Sequence, residues 1–249
     1  MKAYLLAAGY ATRMYPLTRD RAKPLLEVAG AAILTHLLDR VLALDDLSEV
    51  IVIANDRFAR DFEAWASLRD APVPMRVLND GTRSDGAKLG ALGDLAFALD
   101  AVPVGGEDWL VAAGDNLLAF ELGPLQQAFR KTGDGAHREP LLVVRKTTRD
   151  GPSRYNEVVL DESGRVVRFR EKPDDPVSDL AAIALYLLPA AAESALRRYL
   201  DEGGNPDAPG HFIAWLVEQM PVRAEPLRGE WYDIGSLEGL EYARKHFPG

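Results

Sequence analysis

Four basic residues, Arg13, Arg19, Arg21 and Lys23, follow the first apolar stretch of the chain, in a segment whose composition suits the binding of an anion. The apolar residues end at Gly9, and the polar stretch after them contains Arg13 and Lys23 together with Pro16 and Pro24. A guanidinium group can donate paired hydrogen bonds to a phosphate, and prolines restrict the backbone that carries such cations. The segment therefore predicts a stiff loop with fixed positive charge after the first strand.

The chain as a whole is acidic and lacks cysteine. Its 249 residues carry a formal net charge of −9, the opposite of what general binding to nucleic acid requires. The absence of cysteine excludes disulfides, thiolate metal sites and cysteine nucleophiles. The sequence contains neither a bilayer-length apolar stretch nor the pattern of a signal peptide. We therefore expect a cytoplasmic protein that binds neither nucleic acid nor membranes, as a monomer or a homo-oligomer.

Strand and helix patterns alternate through the first half of the chain. Apolar strand-like runs occupy residues 2–8, 49–55, 73–79 and 108–116, with helical spacing near residues 33–42, 58–65 and 89–99. This alternation is typical of a parallel sheet covered by helices, with ligands bound by the loops after the strands.

The second half has a different pattern. Strands are expected at residues 141–146, 157–172 and 180–188, with a hairpin signal at residues 162–164 and helices near residues 190–200, 211–218 and 236–246. We therefore predict an α/β fold with a Rossmann-like mixed, mainly parallel central sheet flanked by helices on both faces. Residues 1–249 are expected to form a single domain with two halves that meet near residue 120.

The glycines match neither of two common phosphate-binding signatures. GYATRM at residues 9–14 lacks the second and third glycines of the dinucleotide fingerprint, and no helix follows it at once. GTRSDGAK at residues 81–88 resembles the Walker A pattern, but Ala87 separates the glycine from the lysine. Leu89 also stands where a hydroxyl group would bind magnesium. We therefore predict neither a dinucleotide site nor a P-loop.

Four motifs, in order, resemble those of the sugar-phosphate nucleotidylyltransferases. They are the basic loop at residues 9–26, AGDN at residues 113–116, REKP at residues 170–173 and WYDIGSLEGLEYA at residues 231–243. The resemblance implies the nucleotide-diphospho-sugar transferase fold, with residues of about 1–120 binding nucleotide and residues of about 121–249 binding sugar phosphate. It also implies transfer of a nucleotidyl group from a nucleoside triphosphate to a sugar-1-phosphate, with release of pyrophosphate.

The chemistry of that reaction explains the residue types. The attacking phosphomonoester is largely dianionic at neutral pH, because its second pKa is about 6. No general base is needed, and catalysis depends on positioning two polyanions and neutralising their charge.

The resemblance also implies roles for individual residues. The catalytic residues would be Arg13, Lys23 and Asp115. The nucleotide would be bound by Ala7, Ala8, Gly9, Thr12, Arg13, Asn79 and Gly90. The sugar phosphate would be bound by Asn116, Tyr155, Asn156, Glu171 and Lys172. Asp115 and Asp233 would be the ligands of a Mg²⁺ ion.

Three of these carboxylates also stand out in the sequence itself. Asp115 ends an apolar strand pattern, where a carboxylate is unfavourable unless it binds something. Ser236 is the better candidate to cap the last helix, so the Asp233 carboxylate is not needed for that cap. Strand alternation places Glu171 on the same face as Val167 and Phe169, as at the rim of a pocket.

Several positions depart from the family pattern. Ala11 replaces the second glycine of the loop and would be strained if that position requires a positive φ. Ala22 replaces a proline before the lysine. Asn156 stands where a glycine is commoner, and Ile183 and Ala184 replace a Thr-Gly pair in a stretch that contacts sugar hydroxyls in the family. The identity of the sugar therefore does not carry over from the resemblance.

The Gly-Asp-Asn motif at residues 114–116 resembles the glucose-1-phosphate thymidylyltransferase branch, which is our first choice. A mannose-1-phosphate guanylyltransferase, or a uridylyl or cytidylyl enzyme of the same family, is the first alternative. A non-catalytic nucleotide or sugar-phosphate sensor is the alternative from another class.

Overall fold

The computed structural model describes residues 1–147 and 155–249, apart from the side chain of Ala136. The chain divides into two compact units. The first consists of Met1–Leu89, Ala112–Gly123 and Arg228–Gly249, and the second of Gly90–Val111 and Pro124–Leu227. The units interleave along the sequence, because the C-terminal segment belongs to the same unit as the N-terminus.

Strands and helices occur throughout the described residues. The strands are β1 (Lys2–Leu6), β2 (Glu27–Val28), β3 (Ala31–Ala32), β4 (Glu49–Ala54), β5 (Met75–Asn79), β6 (Trp109–Ala113), β7 (Leu117–Ala119), β8 (Leu141–Lys146), β9 (Glu157–Leu160), β10 (Val166–Arg170), β11 (Leu180–Leu188), β12 (Arg223–Pro226) and β13 (Glu230–Tyr232). The helices are α1 (Ile33–Leu42), α2 (Ala59–Ser67), α3 (Ala91–Ala101), α4 (Gly123–Arg130), α5 (Ala191–Asp201), α6 (Pro209–Gln219) and α7 (Leu237–His246). The expected mixed α/β fold is confirmed.

The first unit has a parallel core. Strand β4 pairs in parallel with β1 on one side and with β5 on the other. All six residues of β4 are buried, which explains why its sequence is an almost continuous apolar run. Helix α2 packs on β4 and β5, and α1 buries its apolar residues at helical spacing.

The second unit is largely antiparallel. Strand β11 pairs with β8 and β9, β9 pairs with β10, and β12 runs parallel to β8. The hairpin expected at residues 162–164 is confirmed between β9 and β10. The Asp161 carboxylate accepts hydrogen bonds from the amides of Ser163 at 2.8 Å and Arg165 at 3.0 Å, and Gly164 has φ 79°. These features close the turn.

Two features of the last helix and of the strand pattern bear on the site. Ser236 caps α7, since its hydroxyl accepts a hydrogen bond from the Gly239 amide at 3.1 Å, as expected.

The strand predicted at residues 108–116 ends at Ala113, and Asp115 lies in the turn between β6 and β7. Within residues 1–147 and 155–249, every helix is too short or too polar to cross a bilayer.

Candidate active site

The basic loop after β1 forms a tight turn around Ala11. This residue has φ 47° and ψ 41°, in the left-handed region, and Thr12–Met14 form a single 3-10 turn after it. The Ala11 carbonyl oxygen accepts hydrogen bonds from the Met14 amide at 2.9 Å and the Thr18 hydroxyl at 2.8 Å. Alanine therefore occupies a position that favours glycine, and the strain considered from the sequence is present.

A cavity of about 350 Å³ opens beside this turn. Gly9, Thr12, Arg13 and Lys23 line it, together with Gly235. The Arg13 side chain is exposed, and among the described residues its guanidinium group makes no hydrogen bond or ion pair. An arginine in this state can bind a phosphate without first breaking another contact.

Lys23 connects two other motifs. Its ammonium group forms an ion pair with the Asp115 carboxylate and donates a hydrogen bond to the Ile234 carbonyl oxygen at 3.0 Å. Lys23 and Asp115 are partly buried, with side chains 18% and 31% exposed. The next residue, Pro24, packs near Gly114. A single cation therefore joins the Gly-Asp-Asn turn to the C-terminal motif.

A short antiparallel pair brings these two motifs together. Strands β7 and β13 pair with Tyr232 opposite Leu117, so Asp115 and Asp233 lie at the same end of the pair. The Trp231 indole donates a hydrogen bond to the Asn116 side-chain oxygen at 2.9 Å. Asp115 and Asp233, which are predicted to share one metal ion, are therefore brought to the same end by pairing between segments far apart in the sequence.

Apolar residues interleaved with the motifs hold them in place. Met14 follows Arg13, Ile234 follows Asp233, and both belong to one buried cluster with Leu117. Other members of the cluster come from α1 and α7. In the basic loop and in the C-terminal motif, a buried apolar residue thus lies directly beside a predicted site residue.

Asp115 and Asp233 are the two carboxylates predicted to bind a magnesium ion. Among the described residues there is no group of three or more His, Cys, Asp or Glu side chains that could hold a metal. Magnesium is commonly bound by one or two carboxylates together with substrate phosphates. The pair of Asp115 and Asp233 fits that pattern, and their roles as ligands stay a prediction.

Other predicted nucleotide-binding residues have structural contacts of their own. The Ala7 amide donates to Ile53, and the Ala8 carbonyl oxygen accepts a hydrogen bond from Asn55 at 2.8 Å. In the same unit, the side-chain nitrogen of Asn79 donates a hydrogen bond to the Asp56 carboxylate at 2.8 Å.

Asn79 also closes a turn, because its side-chain oxygen accepts a hydrogen bond from the Gly81 amide at 2.9 Å. In the second unit, Gly90 precedes α3 with φ 82°, and a side chain there would overlap the backbone at Pro206. Binding of the nucleotide by Ala7, Ala8, Asn79 and Gly90 stays a prediction.

Glu171 follows β10 in the second unit and lies against the start of α6. Burial raises the pKa of its carboxyl group, and the charges of Lys172 and His211 partly oppose that shift. A side chain on Gly210 would overlap the carboxylate, so the glycine allows the close approach. The Lys172 ammonium lies 3.8 Å from the carboxylate, and its backbone has φ 45°. A strained residue of this kind is common at functional sites.

The prediction that Val167 shares an apolar face with Phe169 and Glu171 is wrong. Val167 is 55% exposed, whereas Val166 and Phe169 are buried. The register of β10 against β9 shifts between Val166 and Arg168, and this bulge breaks the alternation on which the prediction depended.

The amide of Asn156 completes the pairing of β11. Its side-chain oxygen accepts from the Ala182 amide at 2.7 Å, and its nitrogen donates to the Ala182 carbonyl oxygen at 3.0 Å. Asn156 therefore binds the residue that directly precedes Ile183, so two departures from the family pattern lie close together. The Tyr155 ring lies under the Arg145 guanidinium at 4.5 Å. Binding of sugar phosphate by Tyr155 and Asn156 stays a prediction.

A buried carboxylate that sequence reasoning missed holds the segment after Glu171. Glu157 accepts hydrogen bonds from Arg170 at 2.7 Å, from the Ser178 amide at 2.8 Å and from the Val177 amide. Burial would raise the pKa of Glu157, but these hydrogen bonds outweigh it and the pKa is lowered. A glutamate that begins a strand gives no sequence signal for partners twenty residues away.

Known proteins share both the sequence pattern and the fold. The glucose-1-phosphate thymidylyltransferase of Streptomyces antibioticus is 28% identical over 254 residues, which cover 96% of this chain and 64% of that protein. The mannose-1-phosphate guanylyltransferase catalytic subunit beta of Drosophila pseudoobscura pseudoobscura is 29% identical over 234 residues, covering 94% of this chain and 59% of that protein. A Bacillus anthracis structure, described as a glucose-1-phosphate thymidylyltransferase in complex with sucrose, has a TM-score of 0.83 and 20% identity over 98% of this chain and 94% of that chain.

The two curated relatives are longer proteins, of which this chain spans 64% and 59%. The solved structure supports the fold alone at its level of identity. The sequence model of the nucleotidyl transferase family matches residues 2–247, a range that includes all four motifs. The chain therefore belongs to the nucleotidyl transferase family.

Proposed function

We propose that the chain is a Mg²⁺-dependent sugar-1-phosphate nucleotidylyltransferase with glucose-1-phosphate thymidylyltransferase specificity. The observation that carries the proposal is the contact of Lys23 with both Asp115 and Ile234 beside the cavity of the basic loop. The name of the Streptomyces antibioticus relative supports the choice of substrates. The partners are then a nucleoside triphosphate and a sugar-1-phosphate, without nucleic acid or membrane, and we place the protein in the cytoplasm.

In the proposed reaction, an oxygen of the sugar phosphate attacks the α-phosphorus of the triphosphate. A new P–O bond forms, and the bond between the α-phosphorus and the bridging oxygen breaks. The electron pair leaves with pyrophosphate, and no proton transfer is required because the nucleophile is already ionised. The exposed guanidinium of Arg13 stabilises the negative charge that grows on the pyrophosphate.

Lys23 supplies the second fixed charge. Its contacts with Asp115 and Ile234 hold the ammonium group beside the Gly-Asp-Asn turn, where it neutralises phosphate charge. Asp115 and Asp233 would hold Mg²⁺, which lowers the repulsion between the two phosphate groups when it is bound.

In the second unit, Glu171 and Lys172 bind the sugar phosphate. The carboxylate of Glu171 accepts hydrogen bonds from sugar hydroxyls, and the Lys172 ammonium binds the phosphate. Burial of Glu171 restricts its side chain before the ligand arrives, and the Lys172 side chain is 57% exposed and accessible to a ligand.

Two alternatives have specific support. The relative from Drosophila pseudoobscura pseudoobscura is named a mannose-1-phosphate guanylyltransferase catalytic subunit, which favours a guanylyl or another nucleotidyl specificity. The engagement of Asn156 by the backbone of Ala182 favours a sensor, because that amide is then less available to a sugar.

The test is pyrophosphate release in the presence of Mg²⁺, measured for the purified chain. A matrix of dTTP, UTP, GTP and CTP against glucose-1-phosphate and mannose-1-phosphate covers the candidate specificities. The highest kcat/KM is expected for dTTP with glucose-1-phosphate. Turnover of another pair identifies another enzyme of the family, and tight nucleotide binding without turnover of any pair identifies a sensor.

A further inference from the structure

A lysine outside the predicted site residues lines the same cavity as Arg13 and Lys23. Lys88 is exposed and borders the cavity of about 350 Å³ beside the basic loop. It belongs to the GTRSDGAK segment, which the sequence excludes as a P-loop. The structure agrees with that exclusion, since Asp85–Ala87 form a 3-10 turn and α3 begins only at Ala91.

The segment that carries Lys88 is anchored to the basic loop. Thr82 is buried, and its hydroxyl lies 3.2 Å from the Tyr10 hydroxyl. The Thr82 carbonyl oxygen accepts a hydrogen bond from the Asp56 backbone amide at 2.9 Å. The Asp80 carboxylate accepts one from the Thr82 amide at 2.7 Å. The segment that leads to Lys88 is therefore held at Thr82 next to the basic loop, although Lys88 itself is exposed.

The charges around the cavity favour an anion larger than a single phosphate. Its lining contains three cationic side chains, Arg13, Lys23 and Lys88, and one acidic side chain, Asp85. Lys23 is also paired with Asp115, which offsets part of its positive charge before a ligand binds. A triphosphate chain carries several negative charges close together, and Arg13 alone would leave most of them unopposed.

We infer that Lys88 is a third cation of the triphosphate site and binds the phosphate chain beyond the α-phosphate. The reacting α-phosphate belongs with Lys23 and Asp115, which leaves Lys88 for the distal phosphates. This inference rests on the proposed function, because it takes the nucleoside triphosphate as the ligand of the cavity. Lys88 then contributes to discrimination between a triphosphate and a monophosphate.

The test is calorimetric binding of inorganic tripolyphosphate, dTTP and dTMP without sugar phosphate. The variants are Lys88→Met, the conservative Lys88→Arg, and Lys245→Met as a control for an exposed lysine on α7. Lys88→Met should weaken tripolyphosphate and dTTP binding by about tenfold, since a charged hydrogen bond is lost. Binding of dTMP should change by less than about twofold, and Lys88→Arg should retain most of the affinity for tripolyphosphate.

Each outcome decides the inference. Unchanged tripolyphosphate binding by Lys88→Met, an equal loss of dTMP affinity, or no tripolyphosphate binding by the wild-type chain would overturn it. Turnover of the wild-type chain tests the proposed function separately. Binding of tripolyphosphate that depends on Lys88, in a chain that turns over no substrate pair, would support the inference and reject the enzyme.

Discussion

Lys23 and Asp115 form an ion pair, and the same ammonium group donates a hydrogen bond to the carbonyl oxygen of Ile234 at 3.0 Å. Three segments far apart in the sequence therefore meet at one cation in the first unit. Their meeting depends on the pairing of β7 with β13 and on the buried cluster that contains Met14 and Leu117. The proposed chemistry follows from this junction.

Asp115→Asn should lower turnover by on the order of 10²-fold, because the proposed Mg²⁺ ion, which offsets phosphate charge, loses a carboxylate ligand. The measurement is pyrophosphate release as a function of Mg²⁺ concentration. Asp39→Asn, at an exposed position of α1, is the matched control and should leave turnover unchanged. A normal rate for Asp115→Asn at limiting Mg²⁺ would exclude Asp115 as a metal ligand.

Ala11→Gly should raise the free energy of unfolding by about 0.5–1 kcal/mol. Glycine adopts the left-handed conformation of residue 11 without strain, which outweighs its greater freedom in the unfolded chain. The same substitution at Ala22, which is buried with φ −61°, should lower stability. Urea unfolding of both variants measures the effects, and destabilisation by Ala11→Gly would show that the turn is not strained by its side chain.

Glu157→Gln should destabilise the chain by about 2 kcal/mol at neutral pH, since a buried carboxylate with charged and amide donors is lost. The pKa of Glu157 is lowered in the folded chain, so its carboxylate contributes stability above the unfolded pKa of about 4.3. That contribution is lost as the pH falls through the folded pKa.

The difference between wild type and Glu157→Gln should therefore be greatest above about pH 5 and shrink as the pH falls below the unfolded value. Urea unfolding across this range measures it, with Glu162→Gln in the exposed hairpin turn as control. A difference that did not vary with pH would mean that the charge of Glu157 contributes nothing to stability.

Lys172→Ala should raise the KM for the sugar phosphate by about tenfold or more, because a charged contact with the phosphate is removed. The KM for the triphosphate should stay close to the wild-type value. Steady-state kinetics with each substrate varied in turn separate the two, and Lys131→Ala provides a control at an exposed lysine of the same unit. An increase confined to the triphosphate would reverse the assignment of Lys172.

Local patterns predicted much of this architecture from the sequence. The alternation in the first half identified strands β1, β4 and β5 because their apolar runs are short and bounded by polar loops. Ser236 was identified as a helix cap from its position alone. The order of the four motifs was enough to indicate the family, since each motif is a contiguous stretch.

Features that depend on distant partners escaped such patterns. The bulge that exposes Val167 arises in the pairing of β10 with β9. Hydrogen bonds join Asn156 to Ala182 and Glu157 to Ser178, and neither residue of either pair predicts the other from the sequence. The interleaving of the two units likewise depends on where Arg228–Gly249 packs, which no local pattern specifies.

The central claim is the transfer of a nucleotidyl group, and the fate of the α-phosphate tests it most directly. The chain is incubated with Mg²⁺, glucose-1-phosphate and dTTP labelled with ³²P at the α-phosphate, and the products are separated by chromatography. The account predicts that the label moves into a nucleoside diphosphate sugar, with one pyrophosphate released for each labelled product. Label that stays in the triphosphate, or that appears in dTMP without a sugar nucleotide, would contradict it.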